Sequence, residues 1–199
     1  MQNTTPENLI LLCGELITDG TFSCVKNGEE FYQFLIKITL PTGVDVLPVL
    51  IPKGKLDETV QKGCTISLTG KVASEEAVSG EEHTLILKVA AEEIYAGETE
   101  ITSGVFLTGN VIKKPYSYTI ENGQRAEFQL AVGEDVIAYV PVAVGGENAD
   151  VAKGLQLGDT VSVLGQLHSY EYLDLNGDSA CTKTAYEVEI LTFTALPKI

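Results

Sequence analysis

Apolar and polar positions alternate with a period of two along most of the chain. Phe34, Ile36, Ile38 and Leu40 alternate with more polar neighbours, as do Ile66, Leu68 and Val72 around Gly70. The pattern returns at Phe128, Leu130 and Val132, and again at Val161, Val163 and Leu167. This period predicts strands with one buried and one wetter face. Asn27-Gly28, Ser79-Gly80, Asn122-Gly123 and Asn176-Gly177 supply turns between them. Two stretches fall outside the alternation and predict short helices, roughly Lys55–Gln61 and Asn148–Gly154. No uncharged apolar stretch approaches the ~20 residues of a membrane span, and no charged leader with a small-residue cleavage site is seen. The sequence therefore reads as cytoplasmic, with no membrane partner.

The alternation occurs twice. Asn8-Leu-Ile-Leu-Leu-Cys-Gly14 returns as Ser103-Gly-Val-Phe-Leu-Thr-Gly109, and Leu47-Pro48-Val49 as Val140-Pro141-Val142. The block from Val60 to Val72 returns as Leu155 to Leu167. Gly14 and Gly109, Gly28 and Gly123, Gly63 and Gly158, and Gly70 and Gly165 all stand 95 positions apart. Four matched glycines in separate blocks mark an internal duplication. Each copy reads strand, strand, strand, short helix, strand, strand, which is the order of an OB barrel. The predicted fold is all-β: two tandem five-stranded OB-fold Greek-key barrels, each with a short helix between strands three and four. The expected divisions are 1–97 for the first domain, 98–103 for the linker and 104–199 for the second.

Charge complicates any functional reading. The 199 residues carry a formal net charge of −15, split as −8 over residues 1–99 and −7 over 100–199. Such a field repels nucleic acid at long range, so a nucleic-acid site must be a local cationic track. The four cysteines show no C-x-x-C spacing and lie apart from the two histidines, so no metal is expected. No Ser-His-Asp arrangement, phosphate-binding glycine loop or His/carboxylate cluster is visible. The chain is accordingly not expected to be an enzyme, nor to carry a cofactor or take a small-molecule substrate. The acidic pairs at 29–30, 75–76, 81–82 and 92–93 read as solvated surface.

The motifs together resemble the bacterial single-stranded DNA-binding protein family. An opening Asn-x-hydrophobic-x-Leu-x-Gly strand is matched by Asn8 to Gly14, and a Gly-Lys-Leu-x-Glu segment by Gly54-Lys-Leu-Asp-Glu58. The family's fourth strand is matched by Lys62-Gly63 through Val72 and by Leu157-Gly158 through Leu167. The resemblance covers nearly all of residues 8–194, once per copy. The second copy lacks the lysine, reading Gly145-Gly-Glu-Asn, and the chain has no tryptophan. The family's Gly/Pro/Gln-rich acidic tail has no counterpart in Leu196-Pro-Lys-Ile199, so recruitment of partners through such a tail is not expected. The resemblance implies single-stranded DNA as partner, with RNA an open alternative. Because the family assembles four barrels, it also implies a homodimer of this two-barrel chain.

Binding single strands without sequence readout needs aromatic faces for the bases and cations for the phosphates. The second copy offers Lys113, Lys114, Tyr116 and Tyr118 in its first loop, with Arg125 across the hairpin. Its last hairpin presents His168, Tyr170 and Tyr172 at alternate positions, and Lys183 on the returning strand. Tyr172 matches the position at which the family places a stacking aromatic. The first copy's equivalent hairpin places Ala73, Glu75 and Ala77 at alternate positions, which leaves it a structural, dimerising or partner-binding role. Phe31, Tyr32 and Lys37 offer at most a partial platform. The alternative is an OB-fold protein–protein or oligomerisation module that has lost nucleic-acid binding, its tyrosines packing an interface.

Overall fold

The chain is represented by a computed structural model that describes residues 7–41, 43–79, 82–97, 103–121, 123–174 and 181–197. The first half contains β1 (Asn8–Leu16), β2 (Thr21–Lys26), β3 (Glu29–Leu40), β4 (Gly43–Pro52), β5 (Thr65–Ser79) and β6 (Glu82–Ala96). The second contains β7 (Gly104–Ile120), β8 (Gly123–Val132), β9 (Ala138–Gly145), α1 (Glu147–Ala152), β10 (Thr160–Asp174) and β11 (Cys181–Ala195). In the first half β1 pairs with β3 and β5, β3 with β4, β5 with β6, and β4 with β6 in parallel, which closes a ring. The second half closes the same way through β7–β8, β8–β9, β9–β11, β11–β10 and β10–β7. The inward alternation predicted from sequence lines both rings: Ile36, Leu47, Ile66, Leu68, Leu87, Leu107, Leu130 and Val163 are fully buried.

The halves differ where their sequences do. One strand runs from Gly104 to Ile120 in the second, while the first interrupts it between β1 and β2, giving six strands rather than five. At that break Thr18 Oγ1 accepts a hydrogen bond from Leu35 N at 2.9 Å. Gly20 lies so close to the Phe34 ring that a Cβ would stand 2.3 Å from it. The Asn27-Gly28 turn then joins β2 to β3 with φ of 52° and 81°, the left-handed pair of a type I′ hairpin. Gly80, Asn122 and the Asn176-Gly177 turn lie outside the described residues.

The helix predicted over 55–61 is not formed. A three-residue 3-10 turn, Lys53–Lys55, stands in its place. Asp57 takes hydrogen bonds from Thr59 N at 2.8 Å and Thr59 Oγ1 at 2.6 Å, a local turn that competes with a helix. The segment buries only Val60 fully, too little to hold an isolated turn of helix against solvent. In the second half α1 does form, six residues long, because Ala149 and Ala152 both face the core.

The two rings are joined through β1 and β7, which pair antiparallel from Asn8↔Leu107 to Leu11↔Gly104 and make one eleven-stranded sheet. Asn8 extends this seam sideways: its amide donates to Val72 O and accepts from Val72 N, both at 2.8 Å. Ser103, its counterpart 95 residues on, accepts from Cys13 N at 3.2 Å. A second clasp forms at Asp45 on β4, only 4% exposed. Its carboxylate accepts Ser169 N at 2.6 Å and lies 2.9 Å from His168 Nδ1, while Val46 N donates to Ser169 Oγ at 2.9 Å. A third contact is made by Ser74 of β5, whose hydroxyl accepts Tyr139 N at 2.8 Å.

Candidate functional site

Strand register gathers the candidate residues on one outward face of the second ring. On β7 and β8, Tyr118 stands opposite Arg125, Tyr116 opposite Glu127 and Lys113 opposite Gln129. On β8 and β9, Arg125 faces Gly145, Glu127 faces Ala143 and Gln129 faces Pro141. On β10 and β11, His168 faces Glu187, Tyr170 faces Ala185 and Tyr172 faces Lys183. Period-two geometry puts alternate members of each strand on the same side, so eight of the nine candidates share this face. Lys114 is the exception, lying in the register shift between Lys113 and Tyr116.

The face is not uniformly cationic. Arg125, 19% exposed at its side chain, reaches across the small residues of β9 to Glu189 at 2.8 Å and Glu187 at 2.5 Å, with Glu127 at 3.4 Å. Tyr118 Oη donates to the same Glu127 carboxylate. Burial works against the Arg125 charge, yet Glu187 and Glu189 outweigh it and hold the guanidinium above its ordinary pKa. Burial dominates at Glu187 instead and raises its carboxyl despite Arg125 alongside. Tyr118 is pushed up to about 12, chiefly by its hydrogen bond to Glu127. Tyr170 is raised by burial, then by Glu187 and Glu127. Both phenols therefore stay neutral at physiological pH. His168 is engaged by Asp45, and Lys183 pairs with Asp174 at 2.6 Å.

Lys113 differs from these cations: it enters no ion pair among the described residues. It lines a groove with Tyr116, Phe128, Pro141 and Tyr170, and a neighbouring cavity adds Tyr172 and Tyr186. The aromatic faces are open. Tyr116 is 67% exposed, Tyr170 49% and Tyr172 37%, and the Tyr116 and Tyr118 rings sit 5.7 Å apart. Glu127, Glu187, Tyr186 and Leu85 of β6 also line the groove, and sequence reasoning did not single them out. The alternation Lys183, Ala185, Glu187 was the available signal for Glu187, and Arg125, Glu127, Gln129 that for Glu127. In the first half Tyr32 packs edge-on against Phe22 at 6.1 Å and Lys37 pairs with Glu15 at 3.0 Å, so these residues form no comparable track.

No group of three or more His, Cys, Asp or Glu side chains suited to a metal occurs among the described residues, and no helix among them is long and apolar enough to cross a membrane. No family model matches the chain, and no curated protein matches it. Solved structures do. The wild-type single-stranded DNA binding protein from Thermus aquaticus superposes with a TM-score of 0.75 at 20% identity, covering 98% of this chain and 95% of that one. A deletion mutant of the same protein gives 0.75 at 20% identity, covering 98% and 97%. Over nearly its whole length, this chain has the all-β fold of the single-stranded DNA binding protein from Thermus aquaticus.

Proposed function

We propose that this chain is a non-enzymatic protein of two OB barrels that binds single-stranded DNA without reading its sequence, mainly through the second barrel. The observation that carries the reading is Lys113, an ammonium with no ion pair among the described residues, beside the open rings of Tyr116 and Tyr170. Among the described residues, Arg125, His168 and Lys183 on this face are matched by carboxylates, so Lys113 keeps a local positive charge where stacking surfaces are exposed. Phosphates near Lys113 and bases on Tyr170 and Tyr172 satisfy both needs of a sequence-tolerant site.

The test is fluorescence anisotropy with a labelled oligo-dT of about thirty nucleotides, enough for several sites of the OB size range. Tyr172→Ala is expected to weaken binding about five-fold or more, since one stacked base is worth ~1–3 kcal/mol. Lys113→Ala should reduce the salt slope by about one, while Lys114→Ala leaves it unchanged. Absence of saturable binding at low salt would discard this function. It would support the protein-interaction reading instead, which the groove carboxylates Glu76, Glu127 and Glu187 favour.

The assembly proposed is a cytoplasmic homodimer. Leu9, Phe106 and Leu164 stand in cross-strand register on β1, β7 and β10, with Leu9 and Leu164 exposed. This apolar row on the seam is what a second copy would cover. Sedimentation equilibrium should give twice the 21.3 kDa chain mass, and Leu164→Glu should shift it toward one. A single-chain mass for the unaltered protein at micromolar concentration would rule the dimer out.

A further inference from the structure

The groove on the second barrel has a wall that belongs to the first. Three adjoining cavities, of about 460, 470 and 370 Å3, all include Leu85 of β6. In the first, Ser74, Glu76 and Leu85 face Ile112, Ile137 and Tyr139. In the second, Leu85 faces Lys113, Tyr116 and Tyr170. In the third, Thr84 and Leu85 face Tyr170, Tyr172 and Tyr186. One side chain thus borders the whole aromatic track.

The geometry points to the β5–β6 hairpin of the first barrel as the far wall of the single-strand site, with Leu85 covering bases that lie on Tyr170. This rests on the function proposed above and changes its division of labour, because the first barrel then touches the strand directly. The chemistry is that of a flat base with two apolar faces. A base stacked on an exposed tyrosine leaves its other face in water, and an aliphatic side chain across the cavity removes that face from solvent. The hairpin is held against the second barrel by Tyr139 N, which donates to the Ser74 hydroxyl, while the buried Asp45 clasp ties β4 of the first barrel to β10. Its charges are partly turned away from the groove: Glu75 is ion-paired with Lys88 across the same hairpin. The alternation Ala73, Glu75 and Ala77 follows the other face of the hairpin, while Ser74 and Glu76 line the groove.

The absence of tryptophan from the chain makes a direct test available. Leu85→Trp in the full chain places a single indole on the wall, and Val151→Trp places one on the exposed side of α1, away from these cavities. Titration with oligo-dT is followed by indole emission and by anisotropy of the labelled strand. Emission from Leu85→Trp should be quenched and saturate with the anisotropy, while Val151→Trp stays constant. Leu85→Ala should weaken binding about five-fold, the effect of losing one partly buried aliphatic contact, with the salt slope unchanged because no phosphate contact is lost. Strand binding with flat emission from Leu85→Trp, equal quenching at both positions, or wild-type affinity in Leu85→Ala would each overturn the wall. Failure of the unaltered chain to bind any oligo-dT is a different result: it overturns the proposed function, and the wall with it.

Discussion

Arg125→Gln is expected to cost about ten-fold or more in single-strand affinity while leaving the salt slope at its wild-type value. The guanidinium makes ion pairs with Glu127, Glu187 and Glu189, and two of these carboxylates line the groove beside Lys113. Removing it leaves their charge uncompensated under the proposed phosphate path. A unit charge at 4 Å from a phosphate is worth ~1 kcal/mol, about five-fold, in bulk water and ~4 kcal/mol at an effective dielectric near 20, so a ten-fold loss lies toward the low end of that range. Stability should fall as well, by about 1–3 kcal/mol, the cost of leaving a partly buried charged group without its hydrogen-bond partner. Adding Glu187→Gln and Glu189→Gln to Arg125→Gln should restore most of both. Salt titrations of anisotropy decide the matter. A slope reduced by about one in Arg125→Gln, with no recovery in the triple variant, would make Arg125 a phosphate contact rather than an internal counter-ion.

The second large effect is on folding. Gly70→Ala and Gly165→Ala should each destabilise the chain by about 3 kcal/mol, the upper part of the range for overpacking. An added Cβ at Gly70 would stand 2.2 Å from Ala90 O, and at Gly165 2.4 Å from Glu189 O. Both obstacles are backbone atoms of the partner strand, at the register shifts Thr69/Gly70 and Leu164/Gly165. They cannot yield without breaking the ladder at the bend. For a chain of this size the expected fall in Tm is roughly 6–12 °C. Gly145→Ala is the control, since its Cβ would meet nothing closer than Gln124 O at 3.9 Å. Thermal unfolding that leaves Gly70→Ala and Gly165→Ala within a degree or two of Gly145→Ala would show that the bends are not sterically fixed.

These glycines also show how much was legible. Gly14, Gly70, Gly109 and Gly165 were visible as matched in-strand positions 95 residues apart. The structure places each against a neighbouring strand's carbonyl, with Cβ distances of 2.2–2.6 Å. The candidate site was legible in a weaker sense. Alternation of His168, Tyr170 and Tyr172 located one strand of the face, and Lys113 and Tyr116 located another. Whether His168 and Arg125 were free could not be read, because partners of both sit far along the chain: Asp45 for His168, and Glu187 and Glu189 for Arg125. The helix over 55–61 failed for a local reason, the Asp57–Thr59 turn, which side-chain hydrogen bonding favours over a helix.

By itself the sequence determined what depends on near neighbours and on repetition. Those features are the strand period, the Asn27-Gly28 turn, the matched glycines 95 positions apart and the aromatic character of one hairpin. Each follows from backbone geometry within a few residues, or from comparing one block with its copy. Only the tertiary structure decided which charges remain available and what closes the groove. Register across β8, β9 and β11 brings Arg125 to its glutamates, and the docking of β5 and β6 on the second ring brings Leu85 to Tyr170. The physical reason is that an ion pair or a cavity wall needs groups within a few ångströms, wherever they lie in the chain. Closing two rings against each other brought together residues that no local pattern links.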